Sequence, residues 1–394
     1  MRATSPVLRH DDETAEILAA ARTRPLSRDE AAILFHDADL PALLDAAAAS
    51  RDAHKGKIVS YSKKVFIPLT HLCCDYCGYC TFRANPGGAH APYMTPDEVL
   101  AVAEKGAAAG CKEALFSLGD QPERIFPEAR AFLAQLGFKR TLDYLAAMTE
   151  LVLEKTGLLP HANPGLMGRE DLARLKDSNV SLGLMLESTS TRLRAKGEAH
   201  WRAPDKAPRL RLRTIEEAAR QRIAFTTGML IGIGETAEER IDTLFAIREL
   251  HQRYGHIQEV LFQPFRAKHD TRMASASEPS LADLLRTIAL ARLIFGGEVN
   301  VQSPPNLVAE EFVQLLAAGL NDWGGISPVT KDFINPEAAW PQIKVLEEAT
   351  AKAGFTLTER LAIYPEFAAR EEFVAPRVRP YLKAHLNPYN FAKP

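Results

Sequence analysis

The stretch FIPLTHLCCDYCGYCTFR, residues 66–83, contains four of the five cysteines in this chain of 394 residues. Three of them, Cys73, Cys77 and Cys80, follow the spacing C-x3-C-x2-C, and Cys74 falls outside that pattern. A disulfide, a structural zinc site, an iron–sulfur centre or chance could each place cysteines this close together. The composition of the chain and the spacing itself decide between these explanations.

The composition of the chain argues against a disulfide. The chain is 46% hydrophobic and 25% charged, with a formal net charge of -2, which is typical of a soluble globular enzyme. This balance predicts neither a nucleic-acid nor a membrane partner. Residues 1–25 lack the apolar core of a signal peptide, and no apolar run approaches the roughly 18 residues that span a bilayer. We therefore expect a cytoplasmic protein, in which disulfides are rare.

The cysteine spacing suits an iron–sulfur cluster better than a structural zinc ion. Zinc takes four ligands, usually from two separated pairs, and the isolated Cys111 provides no second pair. His71 or Cys74 could complete a zinc site only if one tight loop wrapped the ion. Three thiolates on a short loop can instead hold three corners of a [4Fe–4S] cluster and leave the fourth iron for a small chelating molecule. The spacing therefore favours the cluster, with zinc as the alternative.

From residue 57 onward, short apolar segments alternate with amphipathic helical segments such as 95–110 and 235–255. Six or more such alternations indicate a parallel α/β architecture. We predict a (β/α) TIM-type barrel, complete or partial, because polar and glycine-rich residues recur at strand ends, which share one mouth in a barrel. An open doubly wound sheet is the alternative. The segments look continuously apolar, as expected when helices cover one face and a packed interior fills the other. The predicted strands are VFIPLT (65–70), EALFSLG (113–119), GLLPHAN (157–163), VSLGLMLE (180–187), FTTGMLIGIG (225–234), IQEVLFQPF (257–265) and EVNVQSP (298–304).

The chain divides into three predicted parts. Residues 1–56 form a helical N-terminal extension, in which Ser27 and Glu30 have the spacing of a capping box. Residues 57–335 form the barrel. Residues 336–394 form a proline-punctuated C-terminal extension that packs on the barrel or closes it.

The cysteine spacing on a β/α frame resembles that of the radical S-adenosylmethionine (SAM) superfamily. The resemblance implies that Cys73, Cys77 and Cys80 bind one [4Fe–4S] cluster, whose open iron is chelated by SAM. An electron from the cluster then splits SAM into methionine and a 5′-deoxyadenosyl radical, which removes a hydrogen atom from the substrate. Cys74 and Cys111 have no role in this pattern and are interpreted as small apolar residues. The implied SAM-binding residues are Tyr79, Gly119, Asp120, Glu187, Gly232 and Ile233.

Polar residues at two other strand ends are candidates for substrate binding. His161 and Asn163 end the third predicted strand, and Gln263 and Arg266 end the sixth. Hydroxyl and amide groups of a substrate are the partners that such side chains prefer. No catalytic acid or base is assigned.

Several longer segments narrow the resemblance to the CofG-type subunit of FO synthase. They include FIPLTHLC, CGYCTFR, ALFSLGDQPE, GLLPHANPG, FTTGMLIGIGET and NDWGGISPVT, and the likeness covers about residues 60–370. Cys74 and Pro264 depart from the expected pattern. The resemblance implies a lyase that converts 5-amino-5-(4-hydroxybenzyl)-6-(D-ribitylimino)-5,6-dihydrouracil, the adduct of tyrosine and a ribityl-diaminouracil, into 7,8-didemethyl-8-hydroxy-5-deazariboflavin with release of ammonia.

The implied partners are this small-molecule adduct, an electron donor and a second radical SAM subunit that couples tyrosine to the uracil. Two other readings remain. The chain could be that coupling subunit or another biotin-synthase-like radical SAM enzyme, or it could be a non-catalytic iron–sulfur or zinc protein.

Overall fold

The barrel is complete. The computed structural model describes residues 10–87 and 92–393, so residues 1–9 of the predicted N-terminal extension and residue 394 lie outside the described residues. Eight parallel strands, β1 to β8, follow one another around the barrel, which closes because β1 pairs with both β2 and β8. The predicted TIM-type barrel is confirmed, and the doubly wound alternative is wrong. The strands are β1 (Ile58–Thr70), β2 (Glu113–Leu118), β3 (Leu159–Asn163), β4 (Ser181–Gly183), β5 (Phe225–Ile231), β6 (Ile257–Pro264), β7 (Asn300–Gln302), β8 (Asp322–Ile326) and β9 (Thr356–Arg360).

Helices surround the barrel and precede it. Ser27 caps α2 through the predicted capping box with Glu30, and Thr95 caps α4 in the same way. None of the described helices combines the length and the apolar character needed to cross a bilayer. The helices are α1 (His10–Ala21), α2 (Arg28–Asp37), α3 (Leu40–Lys55), α4 (Pro96–Ala108), α5 (Pro127–Gln135), α6 (Thr141–Thr156), α7 (Arg169–Lys176), α8 (Pro208–Arg220), α9 (Ala237–Tyr254), α10 (Leu281–Phe295), α11 (Ile343–Lys352), α12 (Pro365–Ala368) and α13 (Arg379–His385).

Successive strand residues alternate between an outer face in the apolar core and an inner face that lines the cavity and carries polar groups. On β1, Val65 and Ile67 are fully buried in the core between the barrel and its helices, whereas Lys64 and Phe66 line the interior cavity. On β6, the fully buried Val260 likewise alternates with residues that line the cavity. The prediction of continuously apolar strands around a packed interior is therefore wrong. The main apolar core lies outside the barrel, and the interior cavity is lined by polar side chains together with apolar ones such as Leu115 and Leu261.

Two strands have no counterpart among the predicted segments. The sequence of β8, DWGGI, contains Gly324, whose φ of 75° few other residues adopt. The other, β9, pairs with the first half of β1, so that Ile58 lies opposite Thr356 and Ser62 lies opposite Arg360. Neither has the apolar run that marks the other strands.

The segment after β9 crosses the amino ends of the barrel strands. Ser181 Oγ and Gln258 Nε2 both donate to the carbonyl oxygen of Ala362, at 2.5 and 3.2 Å. Tyr364 Oη donates to Glu259 at 2.7 Å. These contacts close the end of the barrel opposite the mouth. The cavity inside therefore has a floor formed by the C-terminal part of the chain.

Candidate active site

A cavity of about 320 Å³ occupies the barrel interior and reaches the cysteine loop, residues 73–80. Residues of seven barrel strands line it, together with Arg360 and Ala362 on the floor. The carboxyl ends of barrel strands are where TIM-type enzymes place their reactive groups. The cavity is thus the candidate active site.

Cys73, Cys77 and Cys80 all line this cavity, and all five cysteines are free thiols. Cys73 Sγ accepts hydrogen bonds from the backbone N–H groups of Asp75 and Asp120, at 3.4 and 3.2 Å. Such bonds to sulfur favour the thiolate, the form that binds metal. The loop thus presents three sulfur atoms on one side of the cavity, as the sequence predicts.

The arrangement of these sulfur atoms suits a cluster better than a single ion. Sulfur ligands of one tetrahedral zinc ion lie about 3.8 Å apart, given Zn–S bonds of about 2.3 Å. The three sulfur atoms of Cys73, Cys77 and Cys80 are not all within 4.8 Å of one another. A [4Fe–4S] cluster, which spreads its ligands over several irons, fits this wider spacing and the all-cysteine donor set.

Burial around the loop keeps the metal-free thiols protonated. Burial, with the nearby Asp75 carboxylate adding to it, raises the pKa of Cys73 to about 12. Burial also raises the pKa of Cys77 far above the ordinary range. Metal binding must therefore release protons at neutral pH.

Cys74 belongs to a different set of contacts. Its buried Sγ donates to Asp205 Oδ2 at 3.2 Å, and the Arg124 guanidinium pairs with the same carboxylate. Cys74 Sγ, Asp205 and Asp120 bring their ligand atoms within 4.8 Å of one another. Arg124 thus already supplies a cation to Asp205. The contact between Cys74 and Asp205 ties the cysteine loop to the residues before α8.

Gly119 and Asp120 join the end of β2 to the cysteine loop. A Cβ at Gly119 would lie 2.0 Å from the Leu72 carbonyl oxygen and 2.6 Å from Cys73 Cβ, so only glycine fits here. Asp120 Oδ2 accepts from the Leu166 N–H, while Oδ1 is buried and has no hydrogen-bond partner among the described residues. Burial, with Asp205 next, raises the pKa of Asp120 to about 7. Its unpartnered oxygen is a candidate ligand-binding atom.

Tyr79 lies in the cavity wall and pairs with His200. The distance between Tyr79 Oη and His200 Nε2 is 3.1 Å. Burial raises the pKa of Tyr79 well above its ordinary value, and burial beside Lys206 lowers that of His200 well below its own. Both groups are therefore neutral, and one hydrogen bond joins the phenol to the imidazole. This bond fixes the ring of Tyr79 beside the cysteine loop.

Glu187 also lies in the cavity wall, where it pairs with Lys206, a residue that was not predicted from the sequence. Lys206 Nζ contacts Glu187 Oε1 at 2.6 Å, and both side chains are largely buried. Glu187 has a φ of 65°, a backbone conformation that is costly for a residue other than glycine and concentrates at functional sites. Lys206 lies near the end of the long connection 184–207, and the neighbouring cavity residue Arg211 lies in α8, which follows it. The length of that connection is the one sequence signal that could have identified them.

Three predicted site residues do not line the cavity. Ile233 is buried in an apolar cluster against which Tyr79 packs, and the Gly232 N–H donates to Glu235. Arg266 donates to the Leu307 carbonyl oxygen and pairs with Glu278. Arg266 therefore lies outside the residues that line the cavity, and its contact with a substrate stays a prediction. Gly232 and Ile233 lie behind the cavity wall.

The remaining predicted substrate residues, His161, Asn163 and Gln263, all line the cavity. The polar residues around them were not predicted, because most lie within or beside apolar strand segments, and Arg360 lies in β9, which has no apolar run. These missed cavity residues are Lys64, Glu113, Thr226, Glu259, Gln302 and Arg360.

Comparison with known sequences identifies related proteins. The sequence model of the Radical SAM superfamily matches residues 67–247. The chain is 49% identical over 372 residues to FO synthase from Streptomyces avermitilis, covering 91% of this chain and 43% of that protein. It is also 49% identical over 313 residues to the 7,8-didemethyl-8-hydroxy-5-deazariboflavin synthase of Methanopyrus kandleri, covering 79% of this chain and 93% of that protein. The chain thus spans under half the length of the FO synthases that it matches and nearly the whole of the Methanopyrus protein.

Comparison with solved structures supports the fold. Methylornithine synthase superimposes with a TM-score of 0.68 at 19% identity, covering 88% of this chain and 97% of the other. A maturase of the [FeFe]-hydrogenase superimposes with a TM-score of 0.73 at 15% identity, covering 94% and 80%. At these identities the likeness shows a shared barrel architecture.

Proposed function

We propose that this chain, which belongs to the radical SAM superfamily and within it to the 7,8-didemethyl-8-hydroxy-5-deazariboflavin synthase family, closes the deazaflavin ring. The substrate is the tyrosine–uracil adduct 5-amino-5-(4-hydroxybenzyl)-6-(D-ribitylimino)-5,6-dihydrouracil, and the products are the deazariboflavin and ammonia. The proposal rests on one observation: three cysteines line the same cavity as a set of polar side chains on the barrel strands. Such a cavity can hold a substrate rich in hydroxyl and amide groups beside a radical-generating cofactor.

The residues around the cysteine loop fit the cofactors. Cys73, Cys77 and Cys80 would hold one [4Fe–4S] cluster, and Tyr79, Gly119, Asp120 and Glu187 would hold SAM, with Gly232 and Ile233 supporting that wall from behind. When bound, the cluster and SAM supply a 5′-deoxyadenosyl radical that removes a hydrogen atom from the substrate.

The chain's own residues prepare this end of the cavity. Lys206 and Arg211 place positive charge near the cysteines, which offsets the negative charge that three thiolates introduce. The hydrogen bond between Tyr79 and His200 fixes the orientation of the aromatic ring. Gly119 lets the end of β2 lie against the loop. Together these contacts keep the cofactor end rigid before the substrate binds.

The far side of the cavity orients the substrate and excludes water. The segment that contains Ala362 closes the floor, so water cannot enter from the amino ends of the strands. His161, Asn163 and Gln263 would hydrogen-bond the substrate, and Arg266 would support that wall through Leu307. A closed floor also protects a reactive radical from stray hydrogen donors.

Two partners follow from the proposed reaction. An electron donor must reduce the cluster, and a tyrosine-coupling radical SAM protein must supply the adduct. We place the reaction in the cytoplasm, where the thiol pool keeps the cysteines reduced.

An anaerobic assay tests the proposal. Reconstituted protein is mixed with a reductant, SAM and the purified adduct, and deazaflavin fluorescence, ammonia and 5′-deoxyadenosine are measured. We expect all three products, and none from Cys77→Ala. A parallel reaction with tyrosine and 5-amino-6-(D-ribitylamino)uracil tests the coupling alternative. Conversion of that mixture without conversion of the adduct would overturn the proposal in favour of the coupling subunit.

A further inference from the structure

A group of polar residues lies in the cavity on barrel strands, apart from the cysteine loop. We call it the polar subsite, and it consists of His161 and Asn163 on β3, Gln302 on β7, and the ion pair between Lys64 on β1 and Glu113 on β2. The strands that supply it are fixed by barrel pairing. Its geometry is therefore set before any ligand binds.

Glycines make room for these side chains. A Cβ at Gly183 would lie 3.1 Å from His161 Nε2 and 3.2 Å from Asn163 Oδ1. A Cβ at Gly324 would lie 1.8 Å from Gln302 Nε2, and one at Gly325 would lie 1.8 Å from Lys64 Cε. Three strand glycines thus clear space for polar groups, which an apolar packed barrel would not need.

Two amides of the subsite have no protein partner. Among the described residues, no group hydrogen-bonds the side chain of Asn163 or of Gln302, although Gln302 is only 7% exposed. An amide that faces a cavity without a protein partner can hydrogen-bond a ligand or water there. These amides are therefore available to a ligand in the cavity.

His161 presents a hydrogen-bond acceptor to the same space. Ser181 Oγ uses its single hydrogen to donate to the Ala362 carbonyl oxygen at 2.5 Å, so His161 Nδ1, at 2.7 Å from that Oγ, must donate to it. Burial lowers the pKa of His161 to about 4, which keeps the ring neutral. Its Nε2 is then left with a free lone pair.

The charged groups near the subsite are already paired. Lys64 Nζ lies 2.7 Å from Glu113 Oε1, and Arg360 pairs with both Glu259 and Asp322. Among the described residues, these charged side chains of the cavity all have a partner of opposite charge. The subsite therefore suits an uncharged ligand with many hydroxyl groups, each able to donate and to accept.

We propose that the polar subsite binds the polyol chain of the substrate, with His161 Nε2 accepting and the Asn163 and Gln302 amides bonding to hydroxyl groups. This inference rests on the proposed function, which gives the substrate a ribityl chain. The tyrosine-derived part, from which hydrogen is removed, must lie toward the cysteine loop. The ribityl chain therefore extends toward the strands.

Binding of two fluorescent ligands tests this placement. The ligands are 7,8-didemethyl-8-hydroxy-5-deazariboflavin and its analogue with a methyl group in place of the ribityl chain, titrated into anaerobically reconstituted protein. Wild type should bind the ribityl compound at least about tenfold more tightly, because the analogue leaves the subsite unsatisfied. Asn163→Ala and Gln302→Ala should each weaken binding of the ribityl compound by about fivefold and leave the analogue unchanged.

The variants are chosen to keep the fold. Neither amide bonds to the protein, so truncation leaves no buried partner unsatisfied. Gln314→Ala, the same truncation at an exposed glutamine, is the matched control and should bind both ligands as wild type does.

Each outcome decides the inference. The inference that the polar subsite binds the ribityl chain would be overturned by either of two results. One is equal affinity of wild type for the two ligands, and the other is an equal loss of affinity for both ligands in the variants. Conversion of the adduct, measured on the same preparation, separates this failure from that of the proposed function. Conversion without ribityl discrimination overturns the subsite alone, whereas absence of both conversion and binding overturns the two together.

Discussion

Replacing Arg360 by methionine should destabilise the barrel by about 3–5 kcal/mol, the usual cost of leaving a buried charge unpaired. Arg360 is 2% exposed and donates to Asp322 at 2.6 and 3.0 Å and to Glu259 at 3.0 Å. Although burial disfavours its charge, Asp322 leads the groups that hold the pKa of Arg360 well above its ordinary value. Methionine approximates the volume of the arginine stem and leaves two carboxylates without their cation.

Calorimetry on the anaerobic protein measures the effect. For 394 residues the unfolding entropy is roughly 0.8 kcal/mol per kelvin, so the expected loss lowers Tm by about 4–6 °C. Arg377→Met is the matched control, because Arg377 pairs with Glu150 and Glu154 at the surface, where all three side chains are 41–47% exposed. Such a pair contributes under about 1 kcal/mol, or roughly 1 °C. Equal small shifts in both variants would refute the view that Arg360 anchors the barrel floor.

Three further experiments test the cysteine loop, the polar subsite and the buried His256. Cys77→Ala should abolish cluster retention, measured by iron content, whereas Cys74→Ala should retain most of the iron because Cys74 contacts a carboxylate outside the predicted ligand set; equal loss in both would refute the ligand assignment. Gly183→Ala should weaken binding of the ribityl compound about tenfold with little change in Tm, because its Cβ would crowd His161 Nε2 at 3.1 Å; unchanged affinity would contradict the geometry. Burial lowers the pKa of His256 to about 3, so stability from this group is present above pH 6.5 and is lost as pH falls toward 3. Between pH 7 and pH 5, the free energy of unfolding measured in urea titrations should therefore fall by about 2 kcal/mol less in His256→Gln than in wild type. Equal falls in the two proteins would refute this.

The barrel could be predicted because its signals are local. Strand and helix segments alternate along the chain, and caps such as Ser27 and Thr95 mark where helices begin. The cysteine loop is also local, since three residues within eight positions provide the whole predicted donor set. Features of this kind need no knowledge of distant contacts.

The polar interior could not be predicted, because it depends on which face of each strand points inward. Lys64 and Glu113 each border an apolar run, where a charged residue looks like the end of a strand. In the barrel they meet across β1 and β2 as a buried ion pair. Only the register of the two strands brings them together.

Arg360 on the cavity floor and Lys206 near the cysteine loop could not be predicted from the sequence for a related reason. Arg360 comes from a segment without periodicity, and it reaches Glu259 only through the pairing of β9 with β1. Lys206 lies in a long connection and contacts Glu187 across the cavity wall. Long-range contacts of this kind leave no local pattern in a single sequence.

The central claim is that three cysteines hold a [4Fe–4S] cluster whose open iron binds SAM. The most direct test is the EPR spectrum of anaerobically reconstituted, reduced protein recorded with and without SAM, together with metal analysis. We expect about four irons per chain and a spectrum that changes when SAM is added. Zinc in place of iron, or a cluster spectrum that SAM leaves unchanged, would contradict it.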